Sequence, residues 1–125
     1  MVEIRLEAQC FPTEERDKVV NAVLNVFPDA EVSGEKRLTG RASGLERLQE
    51  LLKRQRIRGA ARSVLLRGLT DDAVTFRLNK QVALVGKVSF STEPQPLGDI
   101  GVTILTEDPA TVVDLLTSRD EGVQA

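Results

Sequence analysis

The feature that most constrains this chain is a hydrophobic alternation of period two that recurs three times. Val2, Ile4, Leu6, Ala8 and Cys10 alternate with Glu3, Arg5, Glu7 and Gln9. Val74, Phe76 and Leu78 alternate with Thr75, Arg77 and Asn79, and Ile100, Val102, Ile104 and Thr106 repeat the pattern. Successive side chains of a strand point to opposite faces, so these segments read as strands, the first with one face buried. Cys10 falls on that buried face and reads as a small core residue, because no His exists to activate it as a nucleophile.

Helical patterns fill the spaces between. Pro12 breaks the first strand, Thr13 is a good N-cap, and Val19, Val20, Val23, Leu24 and Phe27 form an apolar stripe that Pro28 ends. Ala30–Ser33 and Lys36–Ala42 around Gly34 predict a hairpin. Ser43 and Glu46 have the spacing of a capping box, followed by Leu45, Leu48, Leu51 and Leu52 on one helix face. Ile57, Ala60, Ala61, Val64 and Leu65 continue on a rotated face, which predicts a kink or break at Gly59. Gly68 is a C-cap, Asp71-Asp72 a turn, Gln81–Val85 a short helical turn, and Val88 and Phe90 the start of a further strand. Pro94, Pro96 and Gly98 mark a loop. Asp108 caps a last helix with Pro109 at its first position. This order suggests an α+β domain over residues 1–117, with helices layered on one face of a sheet, and a frayed tail over 118–125.

With 125 residues, no disulfide frame or metal is needed to complete a core. The absence of His and the single Cys remove the usual catalytic triads and the Cys-rich zinc sites. No phosphate-binding P-loop motif is present, and Gly98-Asp99-Ile100-Gly101 lacks the third glycine of a dinucleotide fingerprint. Asp71, Asp72, Glu107 and Asp108 are the only acids that suggest a Mg²⁺-dependent hydrolase, and adjacent acids at turns and caps are usually structural. The expectation is a non-enzyme without a cofactor. No apolar run approaches the ~18–20 residues of a membrane span, and the N-terminus is unlike a secretion signal, so a cytoplasmic setting is expected.

Charge is segregated. Lys36, Arg37, Arg41, Arg47, Lys53, Arg54, Arg56, Arg58, Arg62 and Arg67 are opposed locally only by Glu46 and Glu50, an excess of eight positive charges in a chain of net charge −2. Arginine forks match phosphate oxygens in pairs, and a clustered cationic face attracts a polyanion whatever the total charge. Spacing of four would align Arg54, Arg58 and Arg62 on one side of a continuous helix. Asn79, Lys80 and Gln81, with Lys87 after Gly86, form a second polar group suited to phosphate. The competing reading is a solvated helix face and a turn that carries a lysine. With neither Trp nor Tyr and only four Phe, base stacking on aromatic rings is not expected to be broad.

Phe11-Pro12-Thr13-Glu14, Val26-Phe27-Pro28-Asp29-Ala30, Arg54-Gln55-Arg56-Ile57, Phe76-Arg77-Leu78-Asn79-Lys80-Gln81, Gly86-Lys87-Val88-Ser89-Phe90 and Pro96-Leu97-Gly98 together resemble a small archaeal family of uncharacterised proteins. That family is labelled a predicted exosome-associated RNA-binding protein, and its fold is similar to that of the ribosomal protein that binds 5S RNA. The resemblance implies a two-layer α+β sandwich with a mixed, curved sheet and helices on one face. Residues and resemblance together lead to the expectation of a protein that grips the backbone of structured RNA through Lys53, Arg54, Arg56, Arg58, Arg62, Arg67, Asn79, Lys80, Gln81 and Lys87. The alternative is an interaction module or homodimer that docks on an acidic partner, such as an RNA-processing protein.

Overall fold

A computed structural model describes residues 2–92 and 98–117. The chain runs β1 (Val2–Gln9), α1 (Arg16–Val26), β2 (Glu31–Ser33), β3 (Arg37–Ala42), α2 (Glu46–Arg54), α3 (Arg58–Arg67), β4 (Ala73–Asn79), α4 (Lys80–Leu84), β5 (Asp99–Thr106) and α5 (Pro109–Thr117). The strands form one sheet of order β2-β3-β1-β5-β4.

The α+β class is as expected, but the sheet is antiparallel at every strand pairing rather than mixed. The reason is topological. Strands β1 and β2, joined through α1, run the same way but have β3 between them. No two strands of one direction sit side by side, so every ladder is antiparallel.

The period-two pattern places the core. Ile4, Leu6, Ala8, Leu38, Val74, Phe76, Leu78, Ile100, Val102 and Ile104 are buried on one sheet face. They join Val19, Val23, Val26, Leu48, Leu52, Leu65, Val112 and Leu116 of the helices in one hydrophobic cluster. The opposite face is left to water, as antiparallel sheets permit. Cys10 is half-buried against this cluster.

Several local expectations are corrected. α1 begins after Glu15, not at Thr13, because Phe11–Glu14 closes a turn first and Glu14 bonds the Phe11 amide. The capping box does not form: the Ser43 amide and hydroxyl donate to Asp29 Oδ2 at 2.8 and 3.1 Å, and Leu45 takes the N-cap position. Phe90 makes only an isolated bridge to Leu78 instead of opening a strand. Asp108 caps α5 as expected, accepting from Thr111 Oγ1 at 2.6 Å. Pro94, Pro96 and the tail over 118–125 lie outside the described residues.

The helix break falls at Arg56, three residues before Gly59. Leu52 and Ala61 are both fully buried, yet nine residues place them about two and a half turns apart, on opposite sides of a straight helix. One left-handed residue, Arg56 at φ 59°, redirects the chain so that both face the core.

Candidate nucleic-acid interface

The break disperses the ten residues singled out from the sequence. Arg54 ends α2, where its Nη2 donates to Glu50 at 2.6 Å. Arg47 reaches the same carboxylate at 3.6 Å. Arg58 opens α3, and Arg62, one turn on, is turned toward α5, donating to Asp114 at 2.8 Å and Thr117 at 3.2 Å. Arg67 lies at the far end of α3, about 13 Å from Arg58 along the axis, and its Nε donates to the Ser63 carbonyl. The single aligned stripe of Arg54, Arg58 and Arg62 therefore does not exist.

Lys80 is withdrawn from the surface altogether. Its side chain is 2% exposed, and its Nζ donates to the Gln9 carbonyl at 2.7 Å and to Glu14 Oε1 at 2.9 Å. The ammonium also lies 5.3 Å from the centre of the Phe11 ring. An isolated buried ammonium is costly, and this one has two oxygens and a ring face around it. Asn79 acts as the N-cap of α4, accepting from the Val82 amide at 3.0 Å. Of that run only Gln81 remains exposed.

A smaller group does come together. The Gln55 side chain donates to the Val88 carbonyl and accepts from the Val88 amide, both at 2.8 Å. This two-point clamp imitates a strand pairing and fixes the α2–α3 corner beside the Gly86-Lys87 turn. Arg54 and Arg56 flank the clamp on one side and Lys87 on the other, with Lys53 and Arg58 a residue or two beyond. Lys53 and Arg58 have interactions of their own. Among the described residues, the exposed Arg56 guanidinium and Lys87 ammonium have no such partner. A left-handed conformation costs a non-glycine residue about 1–2 kcal/mol, so Arg56 is held in place by its surroundings.

The uncovered sheet face carries a different arrangement, a hollow of about 930 Å³ lined by Arg5, Glu7, Arg41, Thr75, Arg77 and Thr103 among others. Register sets Arg41, Arg5, Thr103 and Thr75 in one row across four strands. Arg5 bonds Glu3 at 2.8 Å, and Arg37 pairs with Glu7. The Arg5 hydrogen bond, with the charges of Arg5 and Arg41, holds Glu3 below its ordinary pKa of 4.5 against the opposing effect of desolvation. Arg5, Arg41 and Arg77 are offset by Glu7 and Glu31 around the hollow and by Glu3 beside Arg5, so the face is nearly neutral. Sequence reasoning passed over this row, although the polar positions of the alternating strands carried the signal.

The acid pairs Asp71-Asp72 and Glu107-Asp108 lie at the same end of the sheet, where the Thr106 amide donates to the Asp72 carbonyl at 3.0 Å. Among the described residues no cluster of three potential ligands could hold a metal ion. Nor is any helix there long and apolar enough to cross a membrane.

An antiparallel five-stranded sheet with helices on one face defines an α+β domain. A family model described as RNA binding matches residues 3–107, and the chain belongs to that family. It is 41% identical over 95% of its length to a UPF0201 protein of Sulfolobus acidocaldarius, covering 89% of that protein. It is 46% identical over 82% of its length to a UPF0200/UPF0201 protein of Archaeoglobus fulgidus, of which the match spans only 32%. The crystal structure of a UPF0201 protein from Methanococcus jannaschii superposes with a TM-score of 0.86 at 36% identity, with 96% of each chain covered.

Proposed function

We propose that the protein binds RNA without catalysing a reaction, and that the α2–α3 corner supplies the contacts. The observation that carries this reading is the Gln55–Val88 clamp, which ties together the neighbours of Arg56 and Lys87, two exposed cations without partners among the described residues. Lys53, Arg54 and Arg58 lie beside them but are engaged within the chain, Arg54 with Glu50. Arg62, Arg67 and Lys80 leave the proposed surface, the first two by distance and pairing and the third by burial. Phosphate contacts position a nucleic acid without reading its sequence, so little sequence preference is expected.

The test is a titration of structured RNA followed by fluorescence anisotropy at several salt concentrations. Phosphate contacts by Arg56 and Lys87 give a log–log salt slope of about −1.4 to −1.8, steeper if neighbouring cations exchange their partners for phosphate. On fully paired RNA, where both cations meet phosphate, Arg56→Glu with Lys87→Glu lowers affinity and flattens the slope by about 1.4–1.8, whereas Arg67→Glu leaves both close to wild type. Equal losses in the two variants would remove the corner from the proposal.

A second reading is favoured by the neutral, mixed-charge hollow of the open sheet face. It fits a protein partner, an RNA-processing protein or a second copy of the chain, better than a polyanion. Light scattering of wild type and Arg41→Glu reports on self-association, and a concentration-independent monomer mass excludes the homodimer.

A further inference from the structure

The basic corner contains an apolar element that phosphate binding does not use. Val85, at the end of α4, is 72% exposed, against 45% for Leu66 and 46% for Leu115. It begins the turn Val85-Gly86-Lys87 that leads into the clamped residue Val88. Gly86 adopts φ 80°, and a Cβ placed there meets no atom within 4 Å, so the space above the turn is open. Across the clamp lies the second left-handed residue of the corner, Arg56. Glycine would adopt that conformation without penalty. An arginine occupies it instead, with an exposed guanidinium that meets no partner among the described residues.

The backbone of the corner offers a ligand little. The amides of Arg56, Gly86 and Lys87 all donate within the chain, to the carbonyls of Lys53, Ala83 and Val82. The exposed side chains are the aliphatic Val85, the planar cation of Arg56 and the point charge of Lys87. An uninterrupted RNA duplex has no use for the valine, because its outer surface is phosphate, ribose and the base edges of a shallow groove. An unpaired nucleotide does: its base has an apolar face for Val85 and a π-surface for the Arg56 plane, while the neighbouring phosphates meet Lys87.

We infer that this corner recognises an unpaired nucleotide in structured RNA, such as a bulge or loop, with Val85 and Arg56 contacting the base and Lys87 the adjacent phosphate. The inference rests on the RNA-binding reading above and narrows the ligand to an interrupted helix.

The experiment compares a fully paired RNA hairpin closed by a short, stable loop with the same hairpin carrying one bulged nucleotide, at constant salt, by fluorescence anisotropy. Wild type is expected to bind the bulged RNA about tenfold more tightly. Val85→Ser should lose most of that preference while binding the paired hairpin as before. Arg56→Lys keeps the charge but lacks the planar fork, and should also lose preference. Circular dichroism melts of both variants confirm that they fold. Equal wild-type affinity for the two RNAs, or a preference unchanged in both variants, overturns the inference and leaves RNA binding standing. No wild-type binding to either RNA overturns the parent reading and this one with it.

Discussion

Replacing Lys80 with Met tests whether this lysine builds the fold or the binding surface. The substitution keeps an unbranched apolar stem but removes the ammonium shared by the Gln9 carbonyl and Glu14 Oε1. Glu14, whose side chain is 10% exposed, keeps only the Phe11 amide as a described donor, and the Gln9 carbonyl loses the lysine. Breaking a buried pair from one side costs about 3–5 kcal/mol. With an unfolding entropy of about 2.1 cal/mol/K per residue, 125 residues lose about 0.26 kcal/mol for each degree of heating. The melting temperature should therefore fall by about 11–19 °C. Circular dichroism is the suitable probe, since the chain has no Trp or Tyr to report by fluorescence. Glu14→Gln in the same chain keeps an acceptor for Phe11 while removing the stranded charge. The double variant should recover about 1–3 kcal/mol relative to the sum of the single changes. A loss below about 1 kcal/mol for Lys80→Met, or strict additivity in the cycle, refutes the buried pair. An unchanged salt slope for RNA binding by the folded Lys80→Met protein separates this structural role from a surface one.

Three other changes probe the surroundings of the site. Arg56→Gly relieves the left-handed backbone, so stability should stay level or rise by up to about 1 kcal/mol in urea melts while RNA affinity falls. A loss of stability would show that the guanidinium is structural. Gly68→Ala places a Cβ 1.8 Å from the Thr75 carbonyl oxygen. It should cost about 3 kcal/mol or more by forcing the end of α3 away from β4, and a melt within a few degrees of wild type would contradict that close approach. Asp29 accepts hydrogen bonds from the Ser43 amide and hydroxyl and from the Gly44 amide, which hold its pKa below the ordinary 3.8 despite desolvation. A depressed carboxylate stabilises the fold at pH values above its unfolded pKa, and the contribution fades as pH falls through the folded value. The stability gap between wild type and Asp29→Asn should be full at neutral pH and close below about pH 4. A gap that widens in acid would reverse the assigned sign.

The layered fold was legible because burial is written into periodicity. Ile4, Val102 and Phe76 belong to alternating runs, and each lies on the covered face of the sheet. Caps were less legible, because a polar side chain near a helix start has several partners within reach. Ser43 has the sequence spacing of a cap, yet Asp29, fourteen residues away, takes its amide and hydroxyl. The helix break followed from the rotated stripe, but its position did not follow from the glycine. Gly59 sits inside α3 in open space, and the residue that bends the chain is an arginine. Lys80 was misplaced for a related reason: a lysine beside Asn79 and Gln81 looks exposed until the fold brings up Glu14 from 66 residues away.

Counting charge along the chain overstates the field in space for the same reason. Of the local excess of positive charge, Arg54 is answered by Glu50 within its own helix and Arg62 by Asp114 from α5. Each such pair removes a cation from long-range attraction, since opposite charges in contact present little net field beyond a Debye length of about 8 Å. Arg56 and Lys87 contribute differently. They stand on left-handed or glycine-adjacent turns, whose backbone is held by the Gln55 clamp rather than by their own side chains. Their charged ends are therefore not needed to maintain the fold. A contact surface built this way owes its position to an uncharged residue, and it follows that Gln55→Ala should weaken RNA binding without altering a single charge. The Val88 amide and carbonyl would lose their partners, the corner would open, and the two cations would separate. If affinity instead survives Gln55→Ala unchanged in a folded protein, the corner is not the assembled site argued for above.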